Sequence, residues 1–408
     1  IEETESVLKR LARTWEDELL ALLMTKYQAV LANQLYRRYQ YVFPANYKDN
    51  YRPQDAINDI SLLETLRQDA PLAVEVLPTE GRSARFKLLQ WNQQLSLSRV
   101  MPILESFGLK VLQEQAFALL HEDNCLWLHD FRTELPEGLP KETFAQSLAY
   151  VREGMQVLWQ GGIEADVFNR LVTILPCRWR DAHIFRVFSA YLKQAAFPLS
   201  AIAQAEALTR YPTIGRSLLE LFQARFDPSI STDRQERQTA ILMRLELALD
   251  KVNAMADERI LREFMTLILA VVRTNFYVPA AMKAQRIAFK FDSAQLRILP
   301  DPKPWREIFV YSPDVMGLHL RFGAVARGGI RWSDRPEDFR TEVLGLAKSQ
   351  QVKNAVIVPV GAKGAFVVRT VYGDKQEIGI NAYQEFLRGL LDVTDNHQKD
   401  KIIAPKQV

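Results

Sequence analysis

The sequence has few of the residues that form disulfides or hold metal ions. Its two cysteines, Cys125 and Cys177, show no CxxC spacing, and its five histidines are scattered over 408 residues. A disulfide framework or a zinc site needs paired or clustered ligands. The sequence therefore predicts no metal site, and the low cysteine content favours a reducing, cytoplasmic compartment.

Long apolar runs and an excess of one charge are missing as well. No uninterrupted apolar stretch reaches the roughly 18 residues of a membrane span, and no basic-then-apolar leader opens the chain. The 52 Lys and Arg against 49 Asp and Glu leave a formal charge of +3, far from the concentrated basic charge of most nucleic-acid-binding proteins. We therefore expect neither a membrane nor a nucleic acid among the partners.

What is present is an ordinary globular composition, with 48% hydrophobic and 25% charged residues. The length suffices for roughly two to four domains of about 100 to 200 residues each. The chain opens with "IEETES", already in a helical pattern, and closes with "IIAPKQV". We expect it to be a segment of a longer protein.

The chain divides into four stretches with different periodicity. Residues 1–71 carry apolar residues at helical spacing and predict a helical lead-in. Residues 72–135 predict strands and one short helix in the order β-α-β-β, which is typical of small ferredoxin-like modules. Residues 136–284 predict a long helical region. The pattern of residues 285–408 predicts further β-strands and another helix. The predicted fold is an α+β and α/β multidomain protein.

One segment of the last stretch combines lysines with small residues. It reads "VKNAVIVPVGAKGAF" and spans residues 352–366. Lys353 is expected at the end of a helix of about five turns that Asp334 caps, and residues 355–360 at a buried strand. Lys363 is expected in a tight loop at the carboxyl end of that strand, where open α/β sheets bind their ligands.

Two interpretations of Lys363 follow from this pattern. A lysine that is partly desolvated beside a ligand site is suited to acid-base chemistry. Alternatively, the side chain only extends from the turn into solvent, as surface lysines commonly do. The pattern alone leaves both open.

Upstream, "VARGGIRW" places Arg327 before the paired glycines Gly328 and Gly329, with Arg331 four residues after Arg327 as a further candidate cation. Glycines let a ligand approach the backbone closely, and the arginine fork pairs bidentately with a carboxylate. Together with the downstream lysines, these residues predict a pocket for a substrate that carries two carboxylates.

The segment of residues 311–366, from "YSPDVMGLHLRFG" to "VPVGAKGAF", resembles the substrate-domain signature of glutamate dehydrogenases. It is most similar to the very large NAD-specific bacterial class. That class typically carries ACT-like modules and long helical segments ahead of this domain, and residues 84–134 and 139–274 are similar to these. The resemblance implies an ACT-like module at 72–135 and an incomplete substrate domain of amino-acid dehydrogenase type at 285–408.

Matching positions carry the family's functional residues onto this sequence. Lys363 in "GAKGA" corresponds to the catalytic lysine, and Lys353 in "VKNA" to a lysine that holds a substrate carboxylate. Arg327 stands where small family members usually carry a lysine for the other end of glutamate. Gly328 and Gly329 complete the implied substrate-binding set.

The sequence also departs from the family pattern. Ala365 stands where glycine is more usual, and no GxGxxG motif occurs in the chain. The family's catalytic aspartate and dinucleotide-binding domain are expected beyond Val408. NAD is therefore implied by the resemblance alone, and no cofactor-binding residue is assigned in this chain.

The implied activity is the oxidative deamination of L-glutamate to 2-oxoglutarate and ammonia in a homo-oligomeric, cytoplasmic enzyme. The 408 residues alone are expected to be inactive, and the ACT-like module is a candidate site for an amino-acid effector. The alternative is a non-catalytic amino-acid-sensing regulatory or assembly protein with a vestigial lysine motif. For the ACT-like module, a purely structural spacer is the alternative to an effector site, and the sequence favours neither.

Overall fold

The structure is a computed structural model that divides into two compact units, Ile1–Gln160 and Gly161–Val408. The described residues are 14–67, 71–79, 82–121, 124–230, 232–353, 360–369, 373–399 and 401–405.

Helices open the described part of the first unit. A capping box between Thr14 and Asp17 begins the first helix. Pro44 is the N-cap of the third helix and Pro53 is the first residue of the fourth, a position that tolerates proline because its N–H needs no partner. The two prolines therefore divide the helical lead-in into separate helices. These helices are α1 (Trp15–Lys26), α2 (Ala29–Tyr39), α3 (Ala45–Asn50) and α4 (Pro53–Leu63).

A four-stranded antiparallel sheet with the order β1-β2-β4-β3 follows. Its elements are β1 (Leu72–Pro78), β2 (Ser83–Trp91), α5 (Leu97–Ser106), β3 (Lys110–His121), β4 (Asn124–Glu134) and α6 (Lys141–Trp159). The order is β-β-α-β-β, so the predicted β-α-β-β order missed β1. This edge strand contains Glu75 and ends at Pro78, and both residue types weaken a strand pattern in sequence.

A buried ion pair joins the helices of the first unit to its sheet. Lys87 Nζ on β2 donates to both carboxylate oxygens of Asp59 on α4, at 2.6 and 2.8 Å. Tyr47 on α3 donates its hydroxyl to the same carboxylate at 2.5 Å. Because removing either charge would leave the other buried and unpaired, the pair fixes α4 on the sheet.

The second unit begins with helices and ends with a mixed sheet. Its helices before the sheet are α7 (Arg170–Ile174), α8 (Trp179–Gln194), α9 (Ala201–Arg210), α10 (Pro212–Phe226), α11 (Arg234–Leu249) and α12 (Met255–Ala270). The two compact units therefore divide inside the predicted helical region 136–284, because α6 packs on β1 of the first unit.

The mixed sheet has the order β10-β11-β8-β7-β6-β5, with β9 also paired to β11. β9 and β10 run parallel to β11, and the other neighbours are antiparallel. α14 makes the crossover that a parallel pair requires. The elements are β5 (Val271–Thr274), α13 (Pro279–Lys283), β6 (Ile287–Phe291), β7 (Arg306–Tyr311), β8 (Val315–Arg321), β9 (Ala326–Arg327), β10 (Ile330–Trp332), α14 (Phe339–Lys353), β11 (Val360–Val368), α15 (Lys375–Asp392), β12 (Asn396–Gln398) and β13 (Lys401–Ile403).

Helices cover both faces of this sheet. On one face, Phe386 of α15 packs into a core with Phe366 and Val310. On the other, Tyr191 of α8 stacks on Phe291 with ring centroids 4.6 Å apart. The sheet is therefore buried from both sides, which explains its nearly continuous apolar strands.

α14 begins later than predicted. Its first residue is Phe339, and the carbonyl of Asp338 accepts the first helical hydrogen bond from Glu342 at 3.3 Å. Asp334, the expected cap, lies outside the helix. Pro336 explains the difference, because the residue before a proline is biased away from the helical conformation.

A fully buried ion pair fixes α14 on the sheet. Arg340 in the first turn donates to both oxygens of Glu307 on β7, through Nη2 at 2.5 Å and Nε at 3.2 Å. Tyr191 of α8 donates its hydroxyl to Glu307 at 2.9 Å. The side chains of Arg340 and Glu307 are 3% and 0% exposed, so neither charge can turn to water. α8, α14 and β7 therefore meet at one carboxylate.

We expect Arg340→Met to lower the free energy of unfolding by about 3 to 5 kcal/mol, because Glu307 would be left buried and unpaired. Urea unfolding would measure the loss. The double variant with Glu307→Leu should recover most of it, since a buried pair can be replaced by apolar residues. As a control, Arg388→Met removes a surface pair with Glu385 and should cost less than about 1 kcal/mol. Equal losses in Arg340→Met and Arg388→Met would contradict the argument.

Candidate functional site

Lys363 lies inside a strand. The residues "GAKGAF" belong to β11, where Lys363 is opposite Leu320 of β8. The predicted loop at this position is wrong. The small residues that suggested a tight turn instead fit between close neighbours: a Cβ atom on Gly364 would lie 3.1 Å from the ring of His319. The preceding strand expected at residues 355–360 falls almost entirely outside the described residues.

The two glycine motifs lie side by side. Arg327 is opposite Gly361, and Ile330 is opposite Gly364, in one continuous parallel register. This register sets Gly329 opposite Lys363. The amide of Gly364 donates to the carbonyl of Gly329 at 3.1 Å. The structure thus brings together the Arg-Gly-Gly and Gly-Ala-Lys-Gly segments, which are far apart in sequence.

The paired glycines have different surroundings. A Cβ atom on Gly328 would lie 1.3 Å from the carbonyl oxygen of Ala362, so only glycine fits there. A Cβ atom on Gly329 would have no heavy atom within 4 Å among the described residues. Gly328 therefore permits the close approach of two backbones, whereas Gly329 borders open space beside Lys363.

We expect Gly328→Ala to lower the free energy of unfolding by about 1 to 3 kcal/mol or more, because the added methyl group overlaps a backbone atom that cannot move aside cheaply. Gly329→Ala is the matched control and should change it by less than about 0.5 kcal/mol. Urea unfolding of both variants makes the comparison. Similar values for the two would contradict the close approach at Gly328.

Lys363 is the candidate cation with the clearest geometry. Its side chain is half-buried, between buried Ala362 and Gly364. Among the described residues, no carboxylate forms an ion pair with it. Arg327 is exposed at the end of β9. Lys353 is the last residue of α14, from which the chain returns to β11.

Sequence reasoning missed the partner of Arg331. Its Nη1 lies 2.9 Å from Oε1 of Glu342, and the hydroxyl of Ser333 donates to the other oxygen of Glu342 at 2.6 Å. Arg331 had been a further candidate for the substrate cations, but its charge is balanced within the protein. The pair instead ties β10 to the first turns of α14. The sequence did contain a signal for this contact: the Arg-x-Ser segment is followed by a helix that has a glutamate in its first turn.

His319 was also missed. Burial, and secondly the charge of Arg321, lower the pKa of this half-buried histidine to about 4. His319 is opposite Gly364, whereas its neighbour Leu320 is opposite Lys363. Because successive residues of a strand point to opposite faces, His319 and Lys363 lie on different faces of the sheet.

A partly buried ion cluster lies at the other end of the sheet. Tyr311 donates its hydroxyl to Glu164 at 2.7 Å, and Arg369 donates to the same carboxylate. Burial opposes ionisation, but Arg369 and Arg186 hold the pKa of Glu164 at about 2. His183 is fully buried, and its Nδ1 lies 2.6 Å from Nη1 of Arg186. Burial, and then Arg186, hold the pKa of His183 well below its usual range.

The lowered pKa values of His183 and His319 predict a loss of stability in acid. His183 and His319 have pKa values that are lower in the folded chain than in the unfolded chain. The unfolded chain therefore binds more protons, and the free energy of unfolding falls as the pH drops below about 6.5, by about 1.4 kcal/mol per pH unit for each histidine. Urea unfolding between about pH 7 and about pH 5 measures this slope.

A matched variant identifies the groups responsible. His319→Gln should remove roughly half of the slope, because one of the two titrating groups is gone. A free energy of unfolding that stays constant over this pH range would contradict the assignment.

The described residues contain no group of three or more His, Cys, Asp or Glu side chains placed to hold a metal ion. Nor is any described helix both long enough and apolar enough to cross a membrane. The turn that opens the β10-α14-β11 crossover reads "SDRPED" and has no glycine. It does not fit the pyrophosphate of NAD, which needs glycines for close backbone approach.

Comparison with known families gives consecutive matches along the chain. Residues 22–66 match "Glutamate dehydrogenase, helical motif 2", and residues 72–146 match "Glutamate dehydrogenase, ACT3 domain". Residues 163–228 match "Glutamate dehydrogenase, helical motif 3". Residues 244–408 match "Bacterial NAD-glutamate dehydrogenase, catalytic domain".

Three curated relatives are similar over nearly the whole chain, and each is named NAD-specific glutamate dehydrogenase. The protein from Halomonas elongata is 39% identical over 100% of this chain, and that from Pseudomonas aeruginosa is 39% identical over 97%. The protein from Mycobacterium tuberculosis is 37% identical over 99% of the chain. The matched region is 26%, 25% and 26% of these relatives, so the chain spans about a quarter of their length. The resemblance found in the sequence is thereby confirmed.

Proposed function

We propose that this chain, which is similar over its length to NAD-specific glutamate dehydrogenases, is the segment of such an enzyme that binds the substrate. The proposed reaction is the oxidative deamination of L-glutamate to 2-oxoglutarate and ammonia. The observation that supports it best is Lys363, a half-buried cation with no ion-pair partner among the described residues, beside the open space at Gly329.

The proposed roles follow from charge and position. Lys363 would hold the oxygen or nitrogen substituent at the second carbon of the substrate and exchange a proton with water. Arg327 and Lys353 would each pair with one of the two carboxylates. Gly329 would let the substrate lie against the backbone, because it has no side chain and borders open space, and Gly328 would complete the substrate-binding set by holding β9 and β10 close to β11. NAD is the oxidant of the proposed reaction, and we assign it no residue of this chain.

In the complete enzyme, Lys363→Met should lower kcat by about 10²-fold to 10⁴-fold, the usual loss for a positioned acid-base group. KM for glutamate should change less, since Arg327 and Lys353 still meet its carboxylates. The assay follows NADH formation from glutamate. Methionine keeps the length and apolar stem of lysine, so the strand should be preserved.

Lys290→Met is the matched control, because Lys290 is a half-buried lysine on β6 of the same sheet. It should keep turnover near that of the parent enzyme. Near-normal kcat in Lys363→Met would show that Lys363 only extends into solvent. Equal losses in both variants would show that the substitution disturbs the sheet rather than the chemistry.

We extend the proposal to residues 72–135 as a ferredoxin-like, ACT-like module. The order β1-β2-β4-β3 is that of a β-α-β-β-α-β module in which the last strand comes first in the chain; α5 is its first helix, and α6, which follows shortly after residue 135, takes the place of the second. The match of residues 72–146 to an ACT3 domain supports this proposal. An amino-acid effector at this module, a homo-oligomeric assembly and a cytoplasmic location belong to the same proposal.

A further inference from the structure

A group of cations lies on the mixed sheet of the second unit, on the face opposite Lys363. Arg321 follows His319 by two residues on β8, so both side chains lie on the same face. Lys290 shares this face, because it is opposite Ile308, which in turn is opposite His319. The cation cluster comprises Arg273 on β5, Lys290 on β6, Arg306 on β7 and Arg321 on β8.

Like charges are directly opposite each other twice in the cation cluster. Arg273 is opposite Lys290, and Arg306 is opposite Arg321. Such cross-strand pairs of like charge are destabilising. An anion that lies near the cluster therefore stabilises the pairing of these four strands.

Two carboxylates balance half of the cluster. Nη1 of Arg273 lies 2.8 Å from Oδ1 of Asp395, and Nη1 of Arg306 lies 2.7 Å from Oδ1 of Asp292. Among the described residues, no other carboxylate forms an ion pair with a member of the cluster. Four cations against two paired carboxylates leave an excess of two positive charges.

The excess charge lies on Lys290 and Arg321. Burial, and secondly Arg273, lower the pKa of the half-buried Lys290. The charge of Arg321 acts in the same direction, and Asp395 opposes the shift without cancelling it. Arg321 is half-buried too, and its Nη2 donates to the carbonyl of Ala324 at 2.8 Å, which supplies a hydrogen bond but no counter-charge. Water therefore screens these cations less than it would at an open surface.

A phosphate group matches this excess. It carries about −1.5 to −2 charges near neutral pH and has three strong acceptor oxygens. Directly opposite residues of antiparallel strands have Cα atoms roughly 4.5 to 5.5 Å apart, so the forks of Arg306 and Arg321 can reach one compact anion. Among the described residues, Arg306 uses only Nη1 for hydrogen bonds and Arg321 only Nη2. A dicarboxylate spreads the same charge over two separate groups and matches less well.

We propose that the cation cluster binds a phosphate group, either as inorganic phosphate or as part of a phosphate monoester. Arg306 and Arg321 would hold its oxygens through their guanidinium forks, and Lys290 would add charge at longer range. The cluster takes no part in the proposed reaction, because it lies on the face opposite Lys363.

Calorimetric titration of the 408-residue chain at constant ionic strength tests the proposal with four probes. Inorganic phosphate and glycerol 3-phosphate carry the phosphate group, malonate is a dicarboxylate of similar charge, and glycerol is neutral. We expect both phosphate probes to bind at least about tenfold more tightly than malonate, and glycerol not to bind. Tighter binding of glycerol 3-phosphate would identify a monoester as the source of the group, and tighter binding of inorganic phosphate would identify free phosphate. No detectable binding of either phosphate probe, or equal binding of malonate, would overturn the proposal.

Two variants locate the site. Arg321→Met removes one fork but keeps an unbranched apolar stem, and it should weaken phosphate binding by about tenfold or more. Lys363→Met is the matched control on the opposite face of the same sheet, and it should bind phosphate as the parent does. If Lys363→Met loses phosphate binding and Arg321→Met keeps it, the phosphate belongs to the candidate substrate site and the proposal is overturned.

A further variant protects the test against misfolding. If Arg321→Met fails to fold, Arg306→Met decides, because Arg306 is the other proposed contact. Unchanged phosphate binding in a folded variant of either arginine would overturn the location. The readout is binding alone, so its outcome does not depend on whether the proposed enzymatic function is correct.

Discussion

The candidate site depends on the buried contact between Arg340 and Glu307. Arg340 stands in the first turn of α14, and Glu307 lies on β7 in the interior of the sheet. Because α14 is the crossover between β10 and β11, anchoring its first turn limits how those two strands can align. Tyr191 of α8 donates to the same carboxylate, so the helical part of the unit is held at the same point. An ion pair without access to water tolerates little displacement, since a small shift leaves a charge unpaired.

The second constraint is steric and acts where the strands meet. Gly328 lies so close to the carbonyl of Ala362 that no side chain fits. This contact keeps β9 and β10 in one register with β11, and that register sets Gly329 beside Lys363. Electrostatic anchoring at one end of the crossover and close backbone packing at the other thus act on the same pair of strands.

These constraints explain how much could be predicted from the sequence. Strands β6, β7 and β8 could be predicted from their apolar runs, which arise because helices cover both faces of each strand. The location of Lys363 within a strand could not be predicted, because glycine and alanine suit a tight turn and a close strand pair equally well. Ion pairs between residues that are distant in sequence could not be predicted either. Arg340 and Glu307 are 33 residues apart, and Arg369 and Glu164 are 205 residues apart. Local patterns carry no information about such partners, so Arg331 was counted among the candidate substrate cations although it pairs with Glu342.

The distribution of counter-charges then distinguishes the cations near the site. Arg331, Arg340 and Arg369 each pair with a glutamate of the same unit, so their charges serve the fold. Lys363 is different, because no carboxylate among the described residues pairs with it and open space borders it at Gly329. A half-buried cation is stabilised when an anion or a polar group approaches it. The substrate of the proposed function carries two carboxylates and has the complementary charge.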